Sequence, residues 1–285
     1  MKQRTPNATR LKARISAYAK YNAIPAQVVL QNFMFERIAE RIARSRFAPN
    51  FILKGGLLLS SMLGLDKRST MDMDTTIVGL PLTEDKIVEV IQEILGEPLE
   101  DNVTFEIVSS IPIRKDDVYG GFCLKLNAVY ESVTTPIFID ITTGDSIVPK
   151  PIQFGYRKIF DNGLFLVYSY PIETILAEKL ETIVTRGIFN KRPRDYYDVY
   201  MITKSVQYDL PTLSRALLAT AEHRKTKDLV TQEYSQRMDI IEHSDDIRQQ
   251  WEKYSKTFSY AKGIPFETVV GSVRNLLESV LAKPS

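Results

Sequence analysis

The chain has 285 residues, of which 44% are hydrophobic and 25% are charged, so it can bury one large core or two smaller ones and is expected to be globular. Its 37 basic and 35 acidic residues give a net charge of +2, which neither favours nor excludes a nucleic-acid partner. A single cysteine, Cys123, excludes an internal disulfide, and the absence of a secretory h-region and of a membrane-spanning apolar run predicts a cytoplasmic protein.

Two helices are predicted near the start of the chain. Residues 9–48 are rich in Ala, Arg, Ile and Glu, contain no glycine, and are divided by Pro25 into two amphipathic stretches. We expect residues 1–50 to form an N-terminal helical cap.

The middle of the chain has the pattern of an α/β or α+β core. From Phe51 to Phe160, short apolar runs are separated by turn residues, with one helical segment at residues 83–95. The core is assigned to residues 51–167. Within it, Cys123 lies in an alternating stretch with no Cys or His partner nearby and is predicted to fill a strand rather than to act as a nucleophile.

A second, helical region is predicted from residue 168 to residue 285. Beyond Tyr168 the sequence is helical in pattern, with breaks at Gly187–Pro193, Asp209–Pro211 and Gly263–Pro265.

A glycine pair, Gly55 and Gly56, separates the apolar run 51–54 from the apolar run 57–63. This pattern predicts a strand end, a tight turn and a helix, a geometry that lets backbone N–H groups approach a phosphate. Two adjacent glycines also mark tight turns that bind no ligand.

An Asp-x-Asp pattern follows at Asp72 and Asp74, in a segment with strand character. Because side chains alternate along a strand, both carboxylates are expected on one face, where a divalent cation would relieve their repulsion and bridge substrate phosphates. The alternative is a solvated polar face. The preceding glycine turn and helix favour the metal site.

Asp140 stands alone in a strongly apolar run, residues 136–142. An unpaired buried carboxylate is unfavourable, so Asp140 either is solvated or paired at a strand end or completes a metal cluster with Asp72 and Asp74. Asp145 follows a predicted turn glycine and is assigned to a loop.

A helix is predicted over residues 171–186, and Lys179 falls within its apolar stripe rather than opposite it. The lysine could direct its charge out to solvent while its stem packs. Alternatively, it could neutralise the charge of a triphosphate.

The next helix begins at Pro193 and places Asp195 on its apolar face, with Asp198 at the edge of that face. Asp195 could interact with the helix dipole, pair with Lys179, or serve as a general base beside a phosphate site.

A basic cluster precedes and opens this helix, with Phe189, Tyr196 and Tyr197 interleaved. It is a candidate contact for a nucleic-acid backbone, although a solvated helix junction fits equally well, and such a backbone could instead follow Arg10, Lys12 and Arg14. The cluster comprises Arg186, Lys191, Arg192 and Arg194.

Together these motifs resemble the AbiEii/AbiGii toxin family of nucleotidyltransferases, the toxin half of abortive-infection toxin–antitoxin modules. Four motifs in chain order carry the resemblance, which covers most of the chain: F-I-L-K-G-G at 51–56, R-S-T-M-D-M-D at 68–74, A-E-K-L at 177–180 and R-D-Y-Y-D at 194–198. The resemblance implies an α+β fold with a polymerase β-like nucleotidyltransferase core, a mixed sheet with flanking helices, together with an N-terminal helical cap and a C-terminal helical domain.

The resemblance also implies roles for the motif residues. Asp72 and Asp74 would bind Mg²⁺, Lys179 would contact the NTP, and Asp195 or Asp198 would be the last catalytic acid. Asp140 is a candidate third metal ligand from its sequence context alone. Asp195 is favoured because of its position on the apolar face. The predicted nucleotide-binding residues are Lys54, Gly55, Gly56, Ser60, Arg68 and Lys179.

In one respect the sequence departs from the superfamily pattern. Relatives often carry a serine after the first glycine, or a hydroxyl residue after the glycine pair, whereas Leu57 follows Gly56 here. A hydroxyl contact to the phosphate would therefore have to come from Ser60 or Ser61, unless backbone N–H groups replace it.

By the resemblance, the chain is expected to be a Mg²⁺-dependent toxin that moves NMP from an NTP onto RNA, with the tRNA 3′ end as the expected acceptor. It would act in phage defence and inhibit growth, with a separately encoded antitoxin that makes no stable contact. The alternatives are an antibiotic-type nucleotidyltransferase acting on a small molecule and a non-enzymatic NTP-binding protein.

Overall fold

The structure is a computed structural model that describes residues 6–113 and 120–282. The chain divides into two compact units. The first spans Met1–Asp145 and Ile152–Ser169, and the second spans Ser146–Pro151 and Tyr170–Ser285. Among the described residues, no helix is long and apolar enough to cross a membrane.

A mixed sheet of seven strands organises the first unit, in the order β3-β4-β5-β2-β1-β7-β6. The pairs β1·β7 and β2·β5 are parallel, and the other neighbours are antiparallel. The strands are β1 (Phe51–Lys54), β2 (Met73–Ile77), β3 (Val103–Ile113), β4 (Gly121–Tyr130), β5 (Val133–Thr143), β6 (Ile152–Arg157) and β7 (Leu164–Ser169). The predicted mixed sheet with flanking helices is confirmed.

The described part of the same unit contains four α-helices: α1 (Pro6–Tyr21), α2 (Ala26–Arg44), α3 (Gly55–Leu63) and α4 (Glu84–Leu95). Pro25 separates α1 from α2, as the sequence predicts. Leu11 and Ile15 of α1 belong to the same hydrophobic cluster as Val28 of α2. Glu131 accepts hydrogen bonds from the Asn7 side chain and the Ala8 N–H, which satisfies donors at the start of α1.

Helix α2 buries charged side chains as well as apolar ones, because it packs against α1, α4 and the strands β5 and β7. Its buried charges are paired. Arg41 forms two hydrogen bonds with the Asp101 carboxylate and donates to the Val103 carbonyl. Glu40 lies within ion-pair distance of Arg44 and Lys158.

The second unit is helical, which confirms the pattern predicted after residue 168. Its helices are α5 (Ile172–Arg186), α6 (Pro193–Ser205), α7 (Leu210–His223), α8 (Lys227–Thr231), α9 (Tyr234–Glu242), α10 (Asp245–Thr257) and α11 (Phe266–Leu281). The three predicted breaks are present, but the chain also breaks after α7, α8 and α9. Asp209 caps α7 and Ser244 caps α10 by accepting backbone N–H groups.

Candidate active site

The glycine pair directly follows β1 and forms the first two residues of α3, in the predicted order of strand, glycines and helix, and its geometry leaves no room for a side chain. Gly55 has a φ of +63°, and a Cβ added there would lie 2.0 Å from Oδ2 of Asp74. A Cβ on Gly56 would lie 2.5 Å from Oγ1 of Thr70. The Gly56 N–H donates to Oδ2 of Asp74 at 3.4 Å. Glycine is therefore required at both positions, since the backbone approaches the acidic segment directly.

Asp74 lies in β2 between two strands that each place a charged residue beside it. The strand register pairs Asp74 with Lys54 of β1 and with Asp140 of β5. Asp72 lies one residue before β2 begins, and its carboxylate accepts a hydrogen bond from the Thr70 hydroxyl. Three acidic residues are thus held on or next to adjacent strands at the glycine turn.

Burial, followed by the negative charges of Asp72 and Asp140, raises the pKa of Asp74 to about 6, although Lys54 and the Gly56 N–H act in the opposite direction. The ionised Asp74 carboxylate is consequently unfavourable in this setting. Carboxylate oxygens are the ligands that Mg²⁺ prefers, and a divalent cation would relieve the repulsion.

Only part of a metal coordination sphere is formed by side chains. Within residues 6–113 and 120–282, no group of three or more His, Cys, Asp or Glu side chains is assembled tightly enough to hold a metal ion. Mg²⁺ commonly takes one or two carboxylates and completes its shell with water and substrate phosphates. The Asp72 and Asp74 carboxylates fit that pattern.

Asp140 lies within β5, three residues before its end, so the interpretation as a strand-end residue is wrong. Its cross-strand partner on β4 is Cys123. Burial raises the pKa of the Cys123 thiol to about 12, and a hydrogen bond to Asp140 and that acid's charge contribute. Cys123 is therefore a protonated strand residue rather than a nucleophile, as its sequence context predicts.

Lys54 is the last residue of β1 and is buried. Its ammonium donates to the Thr142 hydroxyl at 2.8 Å and to the carboxylate of Asp145. Sequence reasoning missed this pair, because Asp145 is separated from Lys54 by 91 positions and is marked only by an adjacent glycine. The pair fixes a cation beside Asp74.

Two further predicted nucleotide-binding residues are also buried. The Ser60 hydroxyl donates to the Leu57 carbonyl at 3.0 Å within α3. Arg68 is 2% exposed, and its guanidinium lies 3.3 Å from where a Cβ on Gly56 would stand. Arg68 thus places positive charge at the glycine turn, while Ser60 is engaged in its own helix.

In the second unit, Lys179 of α5 contacts two acids of α6. Its Nζ lies 3.0 Å from Asp195 and 2.7 Å from Asp198. The predicted inward pair of Lys179 and Asp195 is therefore present. Helical periodicity placed Asp198 at the edge of the apolar face, but its side chain is fully buried and its carboxylate lies against the Lys179 ammonium. Arg192 adds a second cation, 2.9 Å from Asp195.

The basic cluster at the α5–α6 junction is mainly exposed. Arg186, Lys191 and Arg192 are exposed and Arg194 is half-buried. Of the three interleaved aromatic residues, Tyr196 and Tyr197 are 1% exposed and belong to the core, while Phe189 is 80% exposed. Any stacking with a nucleic-acid base at this junction is therefore limited to Phe189.

The sequence matches the family described as "Nucleotidyl transferase AbiEii toxin, Type IV TA system" over residues 37–272. The chain belongs to this family. As an AbiEii-family protein it is a nucleotidyltransferase and the toxin type of a toxin–antitoxin system. The matched range contains the glycine turn, all three strand-associated acids and the Lys179 cluster.

Two solved structures from Helicobacter pylori resemble the AbiEii-family chain. A candidate nucleotidyltransferase aligns with a TM-score of 0.48 at 12% sequence identity, and the alignment covers 90% of this chain and 97% of the Helicobacter pylori chain. The protein JHP933 aligns with a TM-score of 0.43 at 14% sequence identity, and the alignment covers 82% of this chain and 97% of JHP933. No curated protein matches the sequence.

Proposed function

We propose that the protein transfers a nucleoside monophosphate from an NTP to the 3′ end of an RNA, with tRNA as the acceptor, and that this modification inhibits growth. The observation that carries the proposal is the placement of Asp72, Asp74 and Asp140 beside a glycine turn whose Gly56 N–H points at Asp74. The backbone N–H groups of such a turn can donate hydrogen bonds to phosphate oxygens.

In the proposed reaction, Asp72 and Asp74 would hold Mg²⁺, and Asp140 lies beside Asp74 on the adjacent strand. The ion supplies charge neutralisation at the phosphates. The acceptor hydroxyl oxygen forms a bond to the α-phosphorus of the NTP, the bond to the β-phosphate breaks, and pyrophosphate leaves. A carboxylate oxygen of the cluster accepts the hydroxyl proton.

The cations have two proposed tasks. Lys54 and Arg68, fixed by burial and hydrogen bonds at the glycine turn, lower the cost of bringing a triphosphate next to acids. Lys179, held by Asp195 and Asp198, is proposed to contact the NTP, as the family resemblance implies, with Asp195 as the essential acid of that pair.

The test is incubation of the purified chain with each radiolabelled NTP, Mg²⁺ and total RNA. We expect label in a tRNA-sized band for at least one NTP, and none when EDTA replaces Mg²⁺. Label that enters only small molecules would favour an antibiotic-type enzyme, and binding of NTP without any transfer would favour a non-enzymatic protein. Either result contradicts the proposal.

The system-level part of the proposal is that the toxin acts in phage defence and that a separate antitoxin counteracts it without a stable complex. Type IV toxin–antitoxin systems, to which the family is assigned, are consistent with such an arrangement. Co-purification of toxin and antitoxin at near-equal amounts from cells that express both would contradict this part.

The exposed cations at the α5–α6 junction are expected to bind acceptor phosphates. Arg186→Gln combined with Lys191→Gln should therefore weaken acceptor binding and flatten its salt dependence by about one unit of log–log slope per lost contact. Arg192 is left intact because it pairs with the buried Asp195. The measurement is tRNA affinity between low and physiological salt.

A matched control is the pair Lys253→Gln and Lys262→Gln, which removes two exposed charges elsewhere in the same unit. It should leave the slope unchanged. If the junction variant and this control behave alike, the junction is a solvated surface and plays no part in acceptor binding.

A further inference from the structure

The outer face of the β2-β5-β4-β3 half of the sheet continues directly from the carboxylates. Paired residues on neighbouring strands direct their side chains to the same face. The register pairs Asp74 with Asp140, Asp140 with Cys123, and Cys123 with Ile111. These four side chains therefore form one row across the sheet, and the row leads away from the catalytic acids.

A second row lies beside the first on the same face. Phe138 is two positions before Asp140 on β5, and its cross-strand partner is Lys125 of β4. A separation of two residues along a strand is about 7 Å, and adjacent strands are about 4.8 Å apart. The Phe138 ring and the Lys125 ammonium thus lie within the reach of one nucleotide from Asp140.

This face of the sheet exposes large apolar side chains to solvent. Phe138 is 39% exposed and Ile111 is 56% exposed, whereas Ile137 and Ile139, which flank Phe138, are buried on the opposite face. Within the described ranges, no acidic side chain forms an ion pair with the half-buried Lys125. An accessible ring beside an available cation is the combination that binds single-stranded nucleic acid.

The position of this face relative to the glycine turn indicates whether it would bind the NTP or the acceptor. The turn adjoins β1, on one side of Asp74, while Phe138 and Lys125 lie on β5 and β4, on the other side. In phosphoryl and nucleotidyl transfer the attacking and leaving oxygens lie roughly in line on opposite sides of the phosphorus. If the triphosphate binds at the turn, the acceptor must approach from the β5 side.

We propose that Phe138 and Lys125 form the acceptor subsite, in which the terminal base of a single-stranded RNA end stacks on Phe138 and its phosphate contacts Lys125. This inference rests on the proposed function for the identity of the acceptor. Both residues are positioning residues, since they orient the RNA end rather than touch the reacting phosphorus.

The test uses the full chain with a short single-stranded oligoribonucleotide that carries 2-aminopurine as its 3′-terminal base. Stacking on Phe138 should quench the fluorescence. Phe138→Ala and Phe138→Leu should lose the quenching and weaken binding by about tenfold, because base–aromatic stacking contributes at this level. Phe138→Tyr should retain both. Lys125→Gln should weaken binding and lower the salt slope by about one unit.

Leu164→Ala is the matched control, because Leu164 is an apolar residue that is 59% exposed on β7, at the other end of the sheet. It should change neither quenching nor affinity. Thermal unfolding of each variant identifies loss of folding, and Phe138→Leu and Phe138→Tyr keep the side-chain bulk in case alanine perturbs the strand.

Steady-state kinetics separate this proposal from the proposed function. We expect Phe138→Leu to raise KM for tRNA by about tenfold with an unchanged KM for the NTP. Transfer activity with normal tRNA KM and normal quenching in Phe138→Leu would overturn the subsite and leave the enzyme assignment intact. A raised KM for the NTP alone would assign the ring to the incoming nucleotide and would also overturn it. Quenching that depends on Phe138 in a chain without transfer activity would preserve the subsite and reject the reaction.

Discussion

Replacing Asp74 by asparagine is expected to abolish nucleotide transfer and, at the same time, to stabilise the metal-free protein. The activity loss should be at least about a thousandfold, since loss of the ion removes several kcal/mol of charge stabilisation from the transition state. The stability gain follows from the position of Asp74, whose carboxylate is ionised at neutral pH beside Asp72 and Asp140 in a setting that disfavours the charge.

The pH dependence of this gain has a defined sign. The pKa of Asp74 rises from 3.8 to about 6 on folding, so the acid destabilises the folded state wherever it is ionised. The penalty is absent below about pH 4, develops as the pH rises towards 6, and is complete above 6. Asparagine at position 74 removes this penalty, so the free energy of unfolding of the metal-free protein should rise by on the order of 1–3 kcal/mol at pH 7.5.

Thermal unfolding in EDTA and in Mg²⁺ at pH 4.5 and 7.5 measures both effects. Mg²⁺ should raise the Tm of the wild type and leave that of Asp74→Asn unchanged. Glu106→Gln, which neutralises an exposed acid on β3 of the same sheet, serves as the control and should change neither Tm nor activity. An Asp74→Asn protein with full activity would reject the metal site, whatever its stability.

Replacing Lys179 by methionine is expected to destabilise the protein strongly. The lysine pairs with two acids whose side chains are 1% and 0% exposed, so its removal leaves two buried carboxylates without this cation. Breaking a buried pair in this way typically costs about 3–5 kcal/mol. A fall in Tm of roughly 10 °C is expected, together with loss of transfer activity.

A compensated variant separates the structural effect from the catalytic one. Lys179→Met combined with Asp195→Asn and Asp198→Asn removes all three charges and should recover most of the lost stability. Activity should remain absent, because the proposed NTP contact is still missing. Recovery of both stability and activity would show that the cluster serves folding alone, and a stable Lys179→Met single variant would contradict the buried-pair argument.

Local signals in the sequence were sufficient for much of this protein. Proline at residue 25 predicts the break between α1 and α2, and the glycine pair predicts the turn before α3. The order of the motifs indicated the nucleotidyltransferase family, which the match over residues 37–272 confirms. These features depend on backbone constraints and on spacing within a few residues, so they can be read without knowledge of distant contacts.

Other features were decided by the tertiary structure. The sequence left Asp140 open between a strand end and the carboxylate cluster, and only the pairing of β2 with β5 places it beside Asp74. Helical periodicity put Asp198 at an edge, whereas the packing of α5 against α6 buries it on Lys179. Asp145 was assigned to a loop, yet it pairs with Lys54 across 91 positions. Each of these outcomes depends on which elements pack together, and the pairing of distant strands and helices is set by the burial of the whole core rather than by any local pattern.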